Sequence, residues 1–557
     1  VALGAIAAEI DQQAFSKMSV PVREEVLADH SILSFEIDEA VEPGGALHRL
    51  VLLPANAGEV SLELLSGQGD LAEAKFLGNL RGRPVFSVRV DNPAPGELEL
   101  AIHHKGSWDR QAPSYSRDFD HVFGALVSGI DETAPRDGAA GGNGSYVIIT
   151  APQYVAAAQP LVDWKRQKGF NVVLATTSET GLENTAIQAW LRNAYNTWDA
   201  PPEYVLLLGD VDVLPAWSFS ENVSDHPYSL MDEGDWLPDL HLGRMSVEGD
   251  LEAQTLINKT VAYERDPYIE DTGWFTRSLM VAGNYGSTSP STTVTWCGEQ
   301  LETIGYEPAS TVFFPPLFNG VFPITEAFEE GVSICAYRGW AYGPAGWEPP
   351  HFTVDNIPGV DNGAMTPVVM SFVCLNGNFE NQTPCFGEVF TRQGTPTEPK
   401  GAVAFIGNGE HWSHTRYNDA MAIAYFEHIV DEGVTTLGQV AMAGKLTFMN
   451  YFPHQLEETG NEESVEFYLH IYNLLGDPEL NFWKQAPEEM TANIDLNVVQ
   501  EGSNYMVVET SVEGARLGVV QNDQLLGCGY ADAGGTIYLP LTSPLESGEV
   551  QFTVTSP

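Results

Sequence analysis

Cysteine is scarce: the 557-residue chain has five, Cys297, Cys335, Cys374, Cys385 and Cys528. None forms a C-x-x-C pair, which argues against a disulfide scaffold or a zinc-finger-type site as the organising device. The odd number leaves at least one thiol unpaired in a monomer. Basic residues are also few, 26 Lys+Arg against 76 Asp+Glu, for a formal net charge of -50. So acidic a surface repels phosphate backbones, which makes nucleic acid and anionic membrane poor partners; it suits saline or extracellular surroundings. No run reaches the ~18 consecutive apolar residues of a membrane-spanning helix. The opening VALGAIAAEI has no basic region, and with Glu9 and Asp11 so close it does not read as an intact signal peptide. Phosphate-binding signatures are missing too: GNYG and GNG lack the G-x-x-x-x-G-K-[ST] pattern, and no dinucleotide fingerprint is present.

What is there is an ordinary globular composition, 43% hydrophobic, in a chain long enough for roughly three or four domains. From about residue 31 to 110, short alternating runs such as SILSFEI, HRLVLLP and PVFSVRV are separated by turn clusters, which indicates a β-rich domain of sandwich type. A Gly-rich polar bridge at 130–145 follows. The text then changes to apolar strands (YVIITAP, NVVLATT, YVLLLGD) alternating with helices of 10–15 residues, and the rhythm resumes through SLMVAGN, VSICAY, VVMSFV and GAVAFIG. That pattern predicts α/β architecture, a mostly parallel sheet covered on both faces. The tail from about 488 returns to alternation without helices, the size of a small immunoglobulin-like sandwich.

In such a sheet, ligands bind beyond the carboxyl ends of the strands. The residues there are Arg338-Gly339-Trp340, Cys374 to Asn378, and Gly407 to Trp412. A cysteine ending an apolar strand and followed by polar residues and glycine is a candidate nucleophile, with backbone N–H groups available to an oxyanion. Its general base is sought among His351, His411 and His414, whose loops can converge on the same edge. Cys335 and Cys385 read as packed residues. Between Ser224 and Arg244, Asp225, Asp232, Glu233, Asp235 and Asp239 are candidate oxygen ligands for calcium, although their spacing is not that of an EF-hand and a solvated acidic loop is the alternative.

These segments together resemble the gingipain family of cysteine endopeptidases, peptidase family C25. The likeness runs through YVIITAPQY and LVDWKRQKGFNV (146–172), YVLLLGD (204–210), LHLGRMSVE (240–248), VAYERDP (261–267), GVSICAYRGW (331–340), FVCLNGNFENQTPCFGEVF (372–390), GAVAFIGNGEHW (401–412) and YNLLGDPEL (472–480). The resemblance implies a caspase-like core of two subdomains, 146–256 and 257–485, after a β-rich prodomain-like region (1–140) and before an immunoglobulin-like domain (488–557). It also implies secretion, structural calcium without an organic cofactor, and hydrolysis of peptide or protein substrates by a Cys–His pair. Cys374 falls on the family's nucleophile, Asn376 and Gly377 on the residues after it, and Trp412 on an aromatic of the cleft.

The departures are specific. The family's catalytic histidine stands in a Gly-His-Gly turn that here reads Gly339-Trp340-Ala341, and an indole N–H cannot accept a proton. His351 matches a non-catalytic histidine further along the loop. Where an acid should follow VAG to orient the base, the chain has Asn284 and Tyr285, and STSPSTTVTW offers no counterpart to the aspartate that confers arginine specificity. Two expectations follow: a cysteine endopeptidase of open specificity with a rebuilt base, or an inactive fold that binds peptide or protein.

Overall fold

Ten strands assemble into one sheet in the computed structural model, which describes residues 23–27, 29–37, 46–106, 116, 118, 119, 122, 144–219, 222–380, 383–431, 433–452, 455, 456, 459–494 and 499–556. The strands are β1 (Ser145–Thr150), β2 (Asn171–Thr176), β3 (Pro202–Leu208), β4 (His241–Met245) and β5 (Ser278–Gly283). They continue with β6 (Ser310–Phe314), β7 (Ile334–Arg338), β8 (Val368–Phe372), β9 (Ala404–Asn408) and β10 (Tyr472–Leu475). Their spatial order is β2-β1-β3-β4-β10-β9-β8-β7-β5-β6. Most of these strands are buried along their whole length, as expected when helices cover both faces of a sheet.

The sheet has a reversal at its centre. β4 pairs parallel with β10 at Arg244 and Leu475, whereas β10 runs antiparallel to β9. Every other pair is parallel. The amino ends of β1 to β4 therefore share one edge of the sheet with the carboxyl ends of β5 to β9. The two α/β units expected from the sequence are thus halves of one continuous sheet, because β10, from the end of the second unit, lies beside β4 of the first.

The covering helices are α1 (Val155–Gln167), α2 (Asn184–Thr197), α3 (Asp250–Arg265), α4 (Ser289–Thr303), α5 (Val321–Glu330), α6 (Thr415–Ile429) and α7 (Leu437–Tyr451). Thr436 and Gln439 form a capping box at the start of α7, satisfying amides that would otherwise be orphaned. Buried on every side, α7 is apolar almost all round, the signature of a core helix. Among the described residues, no helix is long and apolar enough to cross a membrane.

Ahead of this unit, two four-stranded sheets enclose Leu33, Phe35, Val51, Val88, Leu98 and Leu100, the sandwich that the alternation predicts. Leu50, Leu52, Leu80 and Val85 of the same domain join the large core around α6 and α7. The opening VALGAIAAEI and the bridge at 130–143 lie outside the described residues. After the core, two three-stranded antiparallel sheets enclose Met506, Val508, Leu517, Val519, Ile537 and Leu539. This small sandwich abuts the end of α1 so closely that a Cβ on Gly518 would stand 2.1 Å from the Gln167 carbonyl oxygen. The Arg516 guanidinium lies 3.8 Å from the Phe170 ring centroid, close enough for a cation–π contact.

Candidate active site

Strand β8 ends at Phe372, and two residues later Cys374 is turned out of the sheet. The turn is made by Leu375, whose φ of 62° is left-handed although the residue is not glycine. Such a conformation costs an L-residue about 1–2 kcal/mol and persists only where the surroundings impose it. Here they do. Leu375 N–H donates to the Glu410 carbonyl at 3.0 Å and Gly377 N–H to the Asn408 carbonyl at 2.9 Å. Gly377 lies so close to Gly407 that a Cβ would meet its backbone at 2.6 Å. Asn376 is fully buried; its amide donates to the Gly343 and Gly346 carbonyls and accepts from Ser371 Oγ at 2.9 Å. It bolts the turn in place from behind.

The half-buried Cys374 sulfur lies 3.4 Å from Ser413 Oγ. Ser413 Oγ accepts from the Asn418 amide at 2.9 Å, and Asn418 Oδ1 accepts from the Tyr472 hydroxyl at 2.8 Å. Sequence reasoning passed over Ser413, Asn418 and Tyr472, although Ser413 stands between two of the candidate histidines. The loop carrying it is shaped by Glu410, whose buried carboxylate accepts from His411 N–H at 2.6 Å and Trp412 N–H at 3.0 Å.

Neighbouring strands contribute an aromatic rim. Gly339 and Trp340 follow β7, whose last residue, Arg338, is buried and paired with Asp419 of α6 at 2.5 Å. Burial pushes the Asp419 carboxyl up while Arg338 pulls it back. Trp340 is 54% exposed, Tyr342 59%, Tyr285 66% and Trp412 64%. The Tyr285 and Trp340 rings meet edge-on at 6.1 Å. Gly339 admits the Tyr337 hydroxyl, which a Cβ would meet at 2.4 Å.

Among the described residues, no imidazole is hydrogen-bonded to Cys374. His351 is anchored by its backbone to Phe318 and Gly320, beyond β6, and its ring faces Glu348 at 3.3 Å. β6 is three strands from β8, a backbone separation of about 14 Å. Among the described residues, His351 makes no hydrogen bond to the thiol. His414 points to Glu463 at 3.5 Å. His411 is bracketed by the two residues that touch the cysteine turn, Glu410 and Ser413, and its exposed ring packs edge-on against Trp412 at 4.6 Å.

The acidic loop does not gather around a cation. Asp225 makes a bidentate pair with buried Arg244, both bonds 2.7 Å. Asp232, Asp235 and Asp239 accept backbone N–H groups of the 79–82 turn: Gly82 at 2.7 Å, Asn79 at 2.8 Å and Arg81 at 2.6 Å. Glu233 stays exposed. These carboxylates dock the amino-terminal domain, whose buried Arg81 donates to the Pro202 and Asp239 carbonyls. Both carbonyls lie at the amino ends of β3 and β4, so the turn sits on the edge that carries Cys374. A second acidic group, Glu264, Asp477 and Glu479, has oxygens within 4.8 Å of one another. Lys165 Nζ already occupies its centre, 2.9, 2.6 and 2.5 Å from the three carboxylates. Lys168 adds a second ammonium, and the paired lysines hold Glu264 well below the usual carboxylate range. The Glu264, Asp477 and Glu479 group has the geometry to coordinate a divalent ion in competition with these lysines, whereas Asp225, Asp232, Asp235 and Asp239 are engaged by Arg244 and backbone amides.

A model of peptidase family C25 matches residues 139–483. Gingipain R1 of Porphyromonas gingivalis is 27% identical over 468 residues, 81% of this chain and 44% of its own length. Lys-gingipain HG66 of the same organism is 24% identical over 441 residues, 73% of this chain and 25% of its own. The chain thus spans less than half the length of these curated relatives. Among solved structures, the Arg-specific cysteine proteinase gingipain R aligns with a TM-score of 0.68 at 23% identity, covering 74% of this chain and 95% of that one. The complex of RgpB pro- and mature domains from Porphyromonas gingivalis gives 0.68 at 22%, covering 74% and 97%.

Proposed function

The chain belongs to peptidase family C25, and on that footing we propose that it is a cysteine peptidase acting on extended polypeptide, with Cys374 as nucleophile. The observation that carries this reading is the strained left-handed turn at Leu375, held by the β9 loop, which presents the Cys374 sulfur at the carboxyl edge of the sheet. In the proposed reaction the sulfur attacks the scissile carbonyl. An imidazole takes the thiol proton and delivers it to the departing amine, and water then hydrolyses the thioester. Trp340 cannot serve as that base. His411 is our candidate, since its chain neighbours already touch the cysteine turn and exposed rings change rotamer in picoseconds to nanoseconds.

The rim favours apolar and aromatic side chains over basic ones. Tyr285, Trp340, Tyr342 and Trp412 offer exposed ring faces, whereas Asp419 is engaged by Arg338 and Glu410 by backbone amides. Aromatic clusters of this kind commonly anchor partners. We place the site of action outside the cell, on the family reading and the acidic surface, which detection of the chain in culture medium tests.

A second reading is favoured by the Ser413 hydroxyl standing where an imidazole is wanted: a cleft that binds polypeptide without turning it over. A peptide library incubated with the full chain and with Cys374→Ala separates the two. Cleavage lost in Cys374→Ala is the expected result. Binding without cleavage by either protein favours the second reading.

A further inference from the structure

The reversal in the sheet leaves a wedge. β4 and β10 pair only at Arg244 and Leu475, so toward His241 and Tyr472 the strands part, and α7 closes the gap. A cavity of about 40 Å³ lies there, lined by His226, His241, Lys445, Tyr472 and Asn473 among others, with room for a monoatomic ion or a water.

Lys445 and two imidazoles line it, with Asp225 beside them. Lys445 is 9% exposed, and its hydrogen-bond partner is His226 Nδ1 at 3.4 Å. His226 Nε2 lies 2.9 Å from the Trp236 carbonyl, which assigns the ring proton to Nε2 and leaves Nδ1 to accept from Lys445. An ammonium carries three donors, so two remain without a hydrogen-bond partner among the described residues. Asp225, the one carboxylate lining the cavity among the described residues, is bound in both oxygens by Arg244. Buried His241 faces the Gly438 backbone and, among the described residues, makes no hydrogen bond at normal distance from either ring nitrogen. Burial draws the Lys445 amine down to about 7, against the opposing pull of Asp225. A buried ammonium is stable when an opposite charge joins it.

We propose that this cavity binds one small inorganic anion of halide size, with Lys445 Nζ as its principal ligand. The anion supplies the missing acceptor for the ammonium and fills the gap where β4 and β10 diverge. Tyr472, which lines the cavity, also donates to Asn418, the partner of Ser413 beside Cys374, so the cavity and the cysteine's hydrogen-bond relay share one residue.

The test compares melting of the full chain in sodium chloride and sodium gluconate at equal ionic strength, together with bromide anomalous scattering from crystals soaked in sodium bromide. The expected result is melting a few degrees higher in chloride, a bromide peak in contact with Lys445 Nζ, and loss of the chloride response in Lys445→Met. Equal melting in the two salts, a response that survives in Lys445→Met, or bromide peaks elsewhere but not at Lys445 would overturn the proposal. Should Lys445→Met fail to fold, the bromide map of the unaltered chain decides alone.

Discussion

Cys374 Sγ and Ser413 Oγ stand 3.4 Å apart, and that pairing sets what each neighbour contributes. A serine hydroxyl at neutral pH orients a thiol but does not take its proton. Replacing Ser413 with alanine therefore removes one neutral hydrogen bond and should slow cleavage by less than about tenfold. His411→Ala should slow it about a hundredfold or more, the ordinary contribution of a general base. Steady-state kinetics on the two variants checks the ranking, and a larger loss from Ser413→Ala would reverse it.

Leu375 holds its left-handed φ of 62° because the β9 loop imposes it. Leu375→Val places a β-branched residue in that conformation and should lower stability by about 1–2 kcal/mol. Leu375→Gly relieves the strain and should be nearly neutral despite its added chain entropy. Denaturant melts of both variants measure the difference.

Lys165 sits among three buried carboxylates. Lys165→Met strands them beside Lys168 alone and should cost about 3–5 kcal/mol. Vacating the centre should also make this variant's melting temperature rise with added calcium, while the unaltered chain shows no response at this cluster. Calorimetry with and without calcium tests both statements.

Glu203 is buried, accepting from Ser116 Oγ and from Gly144 N–H at 2.6 Å. Burial, with Asp118 nearby, raises its carboxyl to about 7. A carboxyl raised on folding binds its proton more tightly in the native state. Its stabilising contribution is full below the unfolded value near 4.5 and is lost as pH rises through about 7. Stability should fall between about pH 4.5 and 7, the window those values set, and Glu203→Gln should flatten the slope. Melting temperature followed against pH gives the answer.

The strands were legible because buried parallel strands are continuous apolar runs, as in Tyr204–Leu208 and Val368–Phe372. The position of β10 was not, since YNLL follows a helix and nothing local says it joins β4 rather than extending the second unit. Cys374 could be placed at a strand end by pattern alone. The choice among His351, His411 and His414 could not, because it depends on which loops cross between strands far apart in sequence. The acidic residues from Asp225 to Asp239 looked like cation ligands by composition. Their partners, an arginine and the amides of the turn around Arg81, lie up to 158 residues away, beyond what spacing reports.

The most direct test of the central claim is covalent. A peptidyl acyloxymethyl ketone with an aromatic side chain next to the reactive carbon is added to the full chain, and labelling of each cysteine is followed by mass spectrometry. Cys528, also half-buried, serves as the internal control. The account predicts fast, saturable labelling of Cys374 that a basic analogue does not match and His411→Ala slows. Labelling of Cys374 no faster than that of Cys528, with no saturation, would contradict it.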